Sequence, residues 1–292
     1  MHTRDFHFHS GPRLKLAGRL YLPDEGRANG AGAVFCVGFG GTKEWSPVGA
    51  CTELAKAGYT MLSFDYRGFG GSEGERARLL PQEQVEDTVC ALEYLATQVP
   101  GVDPERIGLF GTSFGGGIAA MAAVVSPRPK ALVMSVPVTS GSRWLQAISR
   151  WHEYREIQQR ALAAIARKAA TGEIEMAERL DIMVPDPGCM VRYAEKTPIT
   201  MESAWHVRNH EPIEHAHKLR MPVLIFAAED DTNVPYEQAV AFYDQVTSEK
   251  RMETFPVGNH WCVYEEQLPR VAQLTADWFG RYLVEAGGSR RP

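Results

Sequence analysis

The residue best suited to covalent chemistry is Ser113, which lies in the sequence Gly111-Thr112-Ser113-Phe114-Gly115. An apolar run at 106–110 precedes this pentapeptide, and a segment of small residues at 116–125 follows it. A tight turn from a strand into a helix exposes the serine hydroxyl at its apex, and it needs glycine on both sides because a Cβ there would collide with neighbouring elements. The pattern therefore predicts Ser113 as a nucleophile; the simpler alternative is a serine that only caps a helix.

The segments around this turn predict an α/β fold. Residues 3–9 and 14–22 alternate polar and apolar side chains on either side of Ser10-Gly11-Pro12, which is typical of a β-hairpin. Six short apolar runs predict further strands at 33–37, 60–64, 106–110, 130–136, 221–227 and 251–255. Helical patterns are found at 47–57, 81–97, 113–125, 235–246 and 268–283. Strands that are apolar throughout and alternate with helices imply a mostly parallel sheet covered on both faces.

One interval interrupts the alternation. Residues 137–218 have helical spacing and no convincing strand, with an amphipathic pattern at 142–171, a break at Pro185, Pro187 and Gly188, and a second helical piece at 200–217. We therefore expect a core domain formed by 1–136 and 219–292, and a helical lid at 137–218 inserted after the sixth strand.

The composition of the chain excludes several classes of protein. In 292 residues, 44% are hydrophobic and 23% are charged, and a net charge of −5 carries no electrostatic signature of nucleic-acid binding. The sequence has no apolar run of signal-peptide or membrane-spanning length, so we expect a cytoplasmic protein. The five cysteines are scattered and never spaced C-x-x-C, which predicts reduced thiols rather than disulfides or a zinc site.

Two further motifs give the chain a family resemblance. Val37-Gly38-Phe39-Gly40-Gly41 follows the run at 33–37, and Asp65-Tyr66-Arg67-Gly68-Phe69-Gly70-Gly71-Ser72 follows the run at 60–64. Together with the Ser113 turn and two loops near the C-terminus, they resemble the motifs of the α/β-hydrolase superfamily, in that family's order and over nearly the whole chain. The resemblance implies an α/β-hydrolase fold with a mostly parallel eight-stranded sheet, and serine-hydrolase chemistry that needs no metal or organic cofactor.

The resemblance also implies an oxyanion hole. Its two donors would be the backbone N–H groups of Phe39 and Phe114, which would stabilise the negative oxygen that forms when Ser113 attacks a carbonyl. Val37 stands where the family usually has histidine. Since the donor is a backbone group, this difference concerns the geometry of the loop rather than the mechanism.

The partners of Ser113 are also assigned by resemblance. The segment 228–235 is similar to the family's Gly-x-x-Asp-x-x-Val-Pro and aligns the acid with Asp231, with Asp230 as the alternative. Gly258-Asn259-His260-Trp261 resembles the family's Gly-x-His loop and assigns His260 as the base. The simpler interpretations are aspartates that only solvate a loop and a histidine with a structural role.

The function expected from this triad is cleavage of a carboxylic ester through an acyl-enzyme on Ser113. The same machinery would serve an acyltransferase, thioesterase, peptidase or carbon–carbon hydrolase, and a ligand-binding protein without catalysis is a further alternative. The partner we expect is a small acyl substrate, with no nucleic acid and no membrane span, and an apolar face of the lid would allow a homodimer.

Other polar and aromatic residues have simpler interpretations. Asp65 and Arg67 are expected to form a buried turn network, and His7 and His9 to share the solvated face of a strand. The lid contains four histidines that we expect on a polar helix face rather than around a metal: His206, His210, His215 and His217. Its tryptophans are expected either to pack the lid onto the core or to line a pocket: Trp144, Trp151 and Trp205.

Overall fold

The computed structural model of the chain describes residues 1–11, 13–183 and 198–285. Its strands are β1 His2–Ser10, β2 Leu14–Leu22, β3 Gly32–Cys36, β4 Thr60–Phe64, β5 Ile107–Thr112, β6 Ala131–Ser135, β7 Met176–Glu178, β8 Pro198–Thr200, β9 Val223–Ala228 and β10 Lys250–Phe255. Its α-helices are α1 Val48–Lys56, α2 Pro81–Gln98, α3 Phe114–Val125, α4 Gly141–Ala147, α5 Trp151–Thr171, α6 Arg179–Ile182, α7 Ser203–Arg208, α8 Glu237–Gln245 and α9 Leu268–Phe279. 3-10 helices lie at Pro212–Lys218 and Cys262–Tyr264, and a π-helix at Gly280–Glu285 continues α9.

The main sheet has eight strands within the described ranges, in the order β1-β2-β4-β3-β5-β6-β9-β10. β1 and β2 form the predicted antiparallel hairpin, and β2 pairs antiparallel with β4. The remaining neighbours pair in parallel. The predicted α/β-hydrolase fold class is confirmed. Since the parallel strands run the same way, the loops that follow β3, β5, β9 and β10 all lie at one edge of the sheet.

Helices cover both faces of this sheet, as glycines in β5 demonstrate. A Cβ on Gly108 would lie 2.8 Å from the ring of Phe279 in α9, whereas a Cβ on Gly111 would lie 2.7 Å from the Cβ of Ala119 in α3. Positions 108 and 111 are an odd number of residues apart and so face opposite sides of the strand. Close approach of the two helices therefore requires glycine at both positions.

The segment between β6 and β9 differs in detail from its prediction. The amphipathic pattern at 142–171 is divided between α4 and α5, which are separated at 148–150. β7 and β8 pair antiparallel, so this segment contains strands that were not predicted. Each has only three residues, too few to establish an alternating pattern. Pro185, Pro187, Gly188 and Cys189 lie outside the described residues.

The remaining cysteines are free thiols: Cys36, Cys51, Cys90 and Cys262. Among the residues described, none of the helices combines the length and the apolar character that crossing a bilayer requires.

Candidate active site

Ser113 lies between β5 and α3 in a strained backbone conformation, with φ 53° and ψ −128°. Residues with a side chain rarely adopt positive φ, so the turn must be held by its surroundings. A Cβ on Gly115 would lie 2.3 Å from the carbonyl oxygens of Cys36 and Val37, and one on Gly111 would lie 2.3 Å from the carbonyl oxygen of Gly115. The two glycines of the motif are therefore required by contact with neighbouring backbone, as the sequence predicted.

The loop after β3 faces this serine. A Cβ on Gly38 would lie 3.3 Å from the Cβ of Ser113 and 3.7 Å from its Oγ. The loop turns sharply, because the N–H of Gly41 donates to the carbonyl of Gly38 at 3.0 Å and Gly40 has φ 62°. Phe39 occupies this turn and is buried. The predicted oxyanion loop is thus adjacent to the predicted nucleophile.

The second predicted oxyanion donor belongs to the turn itself. Phe114 is the first residue of α3, so its N–H has no acceptor within the helix. Its ring packs edge-on against the ring of Phe39, with the centroids 5.7 Å apart. The side chains of the two predicted donor residues therefore pack against each other, with Phe39 in the loop after β3 and Phe114 at the start of α3.

The structure brings Asp231 and His260 together. Nδ1 of His260 lies 2.7 Å from Oδ2 of Asp231, and both side chains are buried. Oδ1 of Asp231 accepts the backbone N–H groups of Asn233 and Val234 at 2.9 and 2.8 Å. Asp230, the alternative acid, is exposed. The geometry favours Asp231 as the acid, because its carboxylate contacts the imidazole whereas Asp230 is exposed.

The loop that carries His260 is attached to the strand before the nucleophile. The hydroxyl of Tyr264 lies 2.5 Å from Oγ1 of Thr112, the residue that precedes Ser113. The ring centroids of Tyr264 and His260 are 6.0 Å apart. Trp45, which follows the loop after β3, packs on Tyr264 and on Trp261. Tyr264 could not be identified from the sequence, since a tyrosine four residues after a histidine carries no recognisable pattern.

The segment between β6 and β9 contributes two contacts that sequence reasoning missed. Trp144, in α4, is fully buried and donates its indole N–H to the carbonyl of Asn233 at 2.7 Å. Nη1 of Arg179, in α6, donates to the carbonyl of Phe39 at 3.4 Å. The sequence alone gives Trp144 the same two possible roles as the other tryptophans of this segment and does not distinguish it from them. Trp151, another of the three, is 66% exposed.

The predicted turn network of Asp65 and Arg67 is present, and both residues are buried. Asp65 accepts the backbone N–H groups of Lys43 and Gly71 at 2.7 and 2.9 Å. Nε and Nη2 of Arg67 donate to Oδ1 of Asp87, which also accepts the hydroxyl of Ser10. All four oxygens of these two carboxylates accept hydrogen bonds, and removal of a partner would leave a buried charge uncompensated.

The histidines between β6 and β9 do not share one polar face. His210 is 6% exposed, and its ring packs against Phe114 with centroids 5.4 Å apart. Burial, with a smaller contribution from the nearby charge of His215, lowers the pKa of His210 to about 3, so the ring is neutral at physiological pH. The expected polar helix face is therefore wrong for this residue. His7 and His9 are exposed on β1, as expected.

Within the described ranges, no group of three or more His, Cys, Asp or Glu side chains could hold a metal ion. The predicted site residues all follow strands at the carboxyl edge of the sheet. Two groups lie there: a strained serine with a glycine-containing loop beside it, and a buried aspartate–histidine pair.

Comparison with known proteins relates this architecture to a family. A family model described as serine aminopeptidase, S33, matches residues 31–267. An uncharacterised 31.7 kDa protein from the traX-finO intergenic region of Escherichia coli is 31% identical over 260 residues, which cover 86% of this chain and 90% of the relative. The thiohydrolase aneE of Aspergillus aculeatus is 29% identical over 274 residues, which cover 85% of this chain and 83% of the relative.

The fold has a close counterpart among solved structures. The α/β hydrolase GrgF from Penicillium sp. sh18 matches with a TM-score of 0.82 at 18% identity, covering 97% of this chain and 99% of that one. At this level of identity the likeness establishes the fold alone.

Proposed function

Because the chain belongs to the S33 serine aminopeptidase family of the α/β-hydrolase superfamily, we propose that it is a serine hydrolase that cleaves a carboxylic ester. The observation that carries the proposal is the buried contact of 2.7 Å between Asp231 and His260, at the same sheet edge as a serine with φ 53°. A carboxylate that fixes Nδ1 leaves Nε2 of the imidazole to exchange a proton with a serine hydroxyl.

The first chemical step is acylation of Ser113. Its Oγ forms a bond to the carbonyl carbon of the substrate while Nε2 of His260 takes the hydroxyl proton. The negative charge that moves to the carbonyl oxygen is stabilised by the backbone N–H groups of Phe39 and Phe114. When the bond to the leaving group breaks, His260 returns the proton to the departing oxygen and the acyl group remains on Ser113.

The second step is hydrolysis of the acyl-enzyme. His260 takes a proton from water as the water oxygen attacks the acyl carbon, and Ser113 leaves with that proton. Asp231 stays ionised throughout and stabilises the imidazolium that forms in each step. The proposal requires no metal or organic cofactor, because every proton and electron pair is accounted for by the triad, substrate and water.

A thioester is the second candidate substrate class. The relative aneE is named as a thiohydrolase, and it matches this chain over 274 residues. A thioester reacts through the same acyl-enzyme, with a thiol as leaving group in place of an alcohol. The segment 137–218, which we propose as a lid over the site, would select the acyl group in either case.

Covalent labelling tests the proposal directly. A fluorophosphonate probe should label the folded wild-type protein, and Ser113→Ala should abolish the labelling. Ser126→Ala is the matched control, because Ser126 is a buried serine at the other end of the same helix, and this variant should be labelled like the wild type. Failure of the folded wild-type protein to react would contradict the proposal and favour a binding protein without catalysis.

A substrate panel then separates the reaction classes. We expect p-nitrophenyl esters of short acids to be cleaved with a higher kcat/KM than the corresponding acyl thioesters of N-acetylcysteamine or aminoacyl p-nitroanilides. A clear preference for the thioesters would favour the second candidate. A preference for the anilides would indicate a peptidase instead.

A further inference from the structure

Trp144 is held rigidly at the base of the segment between β6 and β9. It lies in α4, whose first residue, Gly141, donates its N–H to the carbonyl of His210 at 2.7 Å. A Cβ on Gly141 would lie 1.8 Å from the carbonyl oxygen of Val207, so α4 and α7 are in direct backbone contact. Just before the helix, the amides of Thr139 and Ser140 both donate to Oε1 of Gln238 at 2.9 Å. The indole therefore has little freedom to move.

The indole contacts both predicted oxyanion residues. Its ring centroid lies 5.6 Å from that of Phe39, with an interplanar angle of 73°, and 6.0 Å from that of Phe114. Since Phe39 and Phe114 also contact each other, the three rings form a closed cluster. Packing of this kind restricts how far the loop after β3 can move relative to the start of α3.

The same indole is bonded to the loop of the acid. Its N–H donates to the carbonyl of Asn233 at 2.7 Å, and the N–H of Asn233 donates to Oδ1 of Asp231 at 2.9 Å. Asp231 in turn contacts His260. Asn233 thus links Trp144 to the acid through two hydrogen bonds. The indole also packs directly against both residues of the predicted oxyanion hole.

We propose that Trp144 is a positioning residue, which fixes the Asp231 loop relative to the oxyanion loop so that proton transfer and oxyanion stabilisation occur in one geometry. The inference rests on the proposed function. It follows from the steep dependence of catalysis on distance, since oxyanion donors must lie within hydrogen-bond range of the developing charge and small misplacements are costly. Trp144 itself need not touch the substrate.

Replacement of Trp144 by phenylalanine separates the two contacts. Trp144→Phe keeps an aromatic ring but removes the N–H, which leaves the buried carbonyl of Asn233 without this donor. We expect kcat on p-nitrophenyl acetate to fall about tenfold and KM to stay the same, because the interaction acts on the transition state. Trp144→Leu also removes the ring contacts and should lower kcat by about a hundredfold.

The measurement must exclude a merely structural effect. Rates are therefore expressed per active site titrated with the fluorophosphonate, so that unfolded molecules do not contribute. Trp151→Phe is the matched control, since Trp151 belongs to the same insertion but is 66% exposed, and its kcat should equal that of the wild type.

The outcomes distinguish the inference from the function on which it rests. If the wild-type protein is not labelled, the proposed function fails. If the wild type is labelled and Trp144→Phe has wild-type kcat per titrated site, or raises KM alone, the inference is wrong. Should Trp144→Phe not fold, Phe39→Leu tests the ring contacts while keeping the backbone donor, and an unchanged kcat in that variant would equally overturn the inference.

Discussion

Nδ1 of His260 lies 2.7 Å from Oδ2 of Asp231, and the other oxygen of this carboxylate accepts two backbone N–H groups of its own loop. The carboxylate is therefore oriented independently of the histidine. Because its loop holds it in place, it can hold the imidazole in one tautomer. This relationship gives the most direct test of the site.

Replacement of the acid should reduce turnover strongly. Asp231→Asn removes the negative charge that stabilises the imidazolium, and we expect kcat/KM on an activated ester to fall by about 10³-fold or more. Asp230→Asn is the matched control because Asp230 is the exposed neighbour, and its activity should match the wild type. A large loss in Asp230→Asn with little loss in Asp231→Asn would show that the acid is assigned wrongly.

The hydroxyl of Tyr264 should matter for both stability and rate. Tyr264→Phe removes the 2.5 Å contact with Thr112, which ties the His260 loop to the strand before Ser113. We expect the free energy of unfolding to fall by about 1 kcal/mol and kcat to fall severalfold. Tyr59→Phe is the control, because it removes a 2.7 Å bond to the carbonyl of Ala276, outside the site. Urea unfolding should show a similar loss of stability in both variants. Ester hydrolysis should show a lower kcat in Tyr264→Phe only. A wild-type kcat in Tyr264→Phe would argue against a role for this contact in catalysis.

Acid should destabilise the protein partly through His210. Burial lowers its pKa to about 3, and Nε2 has no hydrogen-bond partner within the described part of the chain, so the folded state resists protonation. The unfolded chain binds a proton below about pH 6.5, and stability is therefore lost as the pH falls from that value towards 3. In His210→Leu the unfolding free energy should depend less steeply on pH in this range. The decrease in slope should correspond to up to about one proton fewer taken up on unfolding.

The control for this experiment is His217→Leu, since His217 is exposed. Chemical unfolding between pH 4 and pH 7 should give the same slope for this variant as for the wild type. If unfolding free energy has the same slope against pH in the wild type, His210→Leu and His217→Leu, then His210 does not contribute to the acid sensitivity.

The glycine after Phe114 should not tolerate a methyl group. In Gly115→Ala the new Cβ would meet two carbonyl oxygens at 2.3 Å, and backbone cannot move aside as a flexible side chain can. We expect unfolding free energy to fall by about 3 kcal/mol or more, together with loss of fluorophosphonate labelling. In Gly280→Ala the nearest atom is the Tyr59 hydroxyl at 3.4 Å, so that variant should unfold like the wild type or at slightly higher temperature in calorimetry. A stable, reactive Gly115→Ala would contradict the close approach of these loops.

Local patterns in the sequence were sufficient to predict the sheet and the loops of the candidate site. Alternating polar and apolar residues marked β1 and β2, short apolar runs marked the other strands of the main sheet to within a few residues, and the glycines around Ser113 marked the turn. All three signals depend only on near neighbours. The loops of Asp231 and His260 were recognisable from motifs in the same way. Their contact with each other follows from the adjacent positions of β9 and β10.

Contacts between distant residues could not be predicted. Trp144 bonds to a residue 89 positions away, Tyr264 to one 152 positions away and Arg179 to one 140 positions away. Nothing next to these residues in sequence identifies the partner, since a tryptophan or tyrosine with helical spacing is equally suited to packing anywhere. The burial of His210 has the same cause, because it depends on how the segment before the 3-10 helix at Pro212–Lys218 packs against α3.

The bond between Ser10 and Asp87 has a consequence for the smallest chain that can fold. The family model spans 31–267, but Ser10 belongs to β1, and its hydroxyl donates to a fully buried carboxylate that also receives Arg67. A fragment cut to the matched span would expose the edge of β4 that β2 covers, and would remove the whole of α9, with the buried rings of Trp278 and Phe279. Shortened expression variants should therefore retain both flanking segments, since the autonomous folding unit extends beyond the span by which the family is recognised.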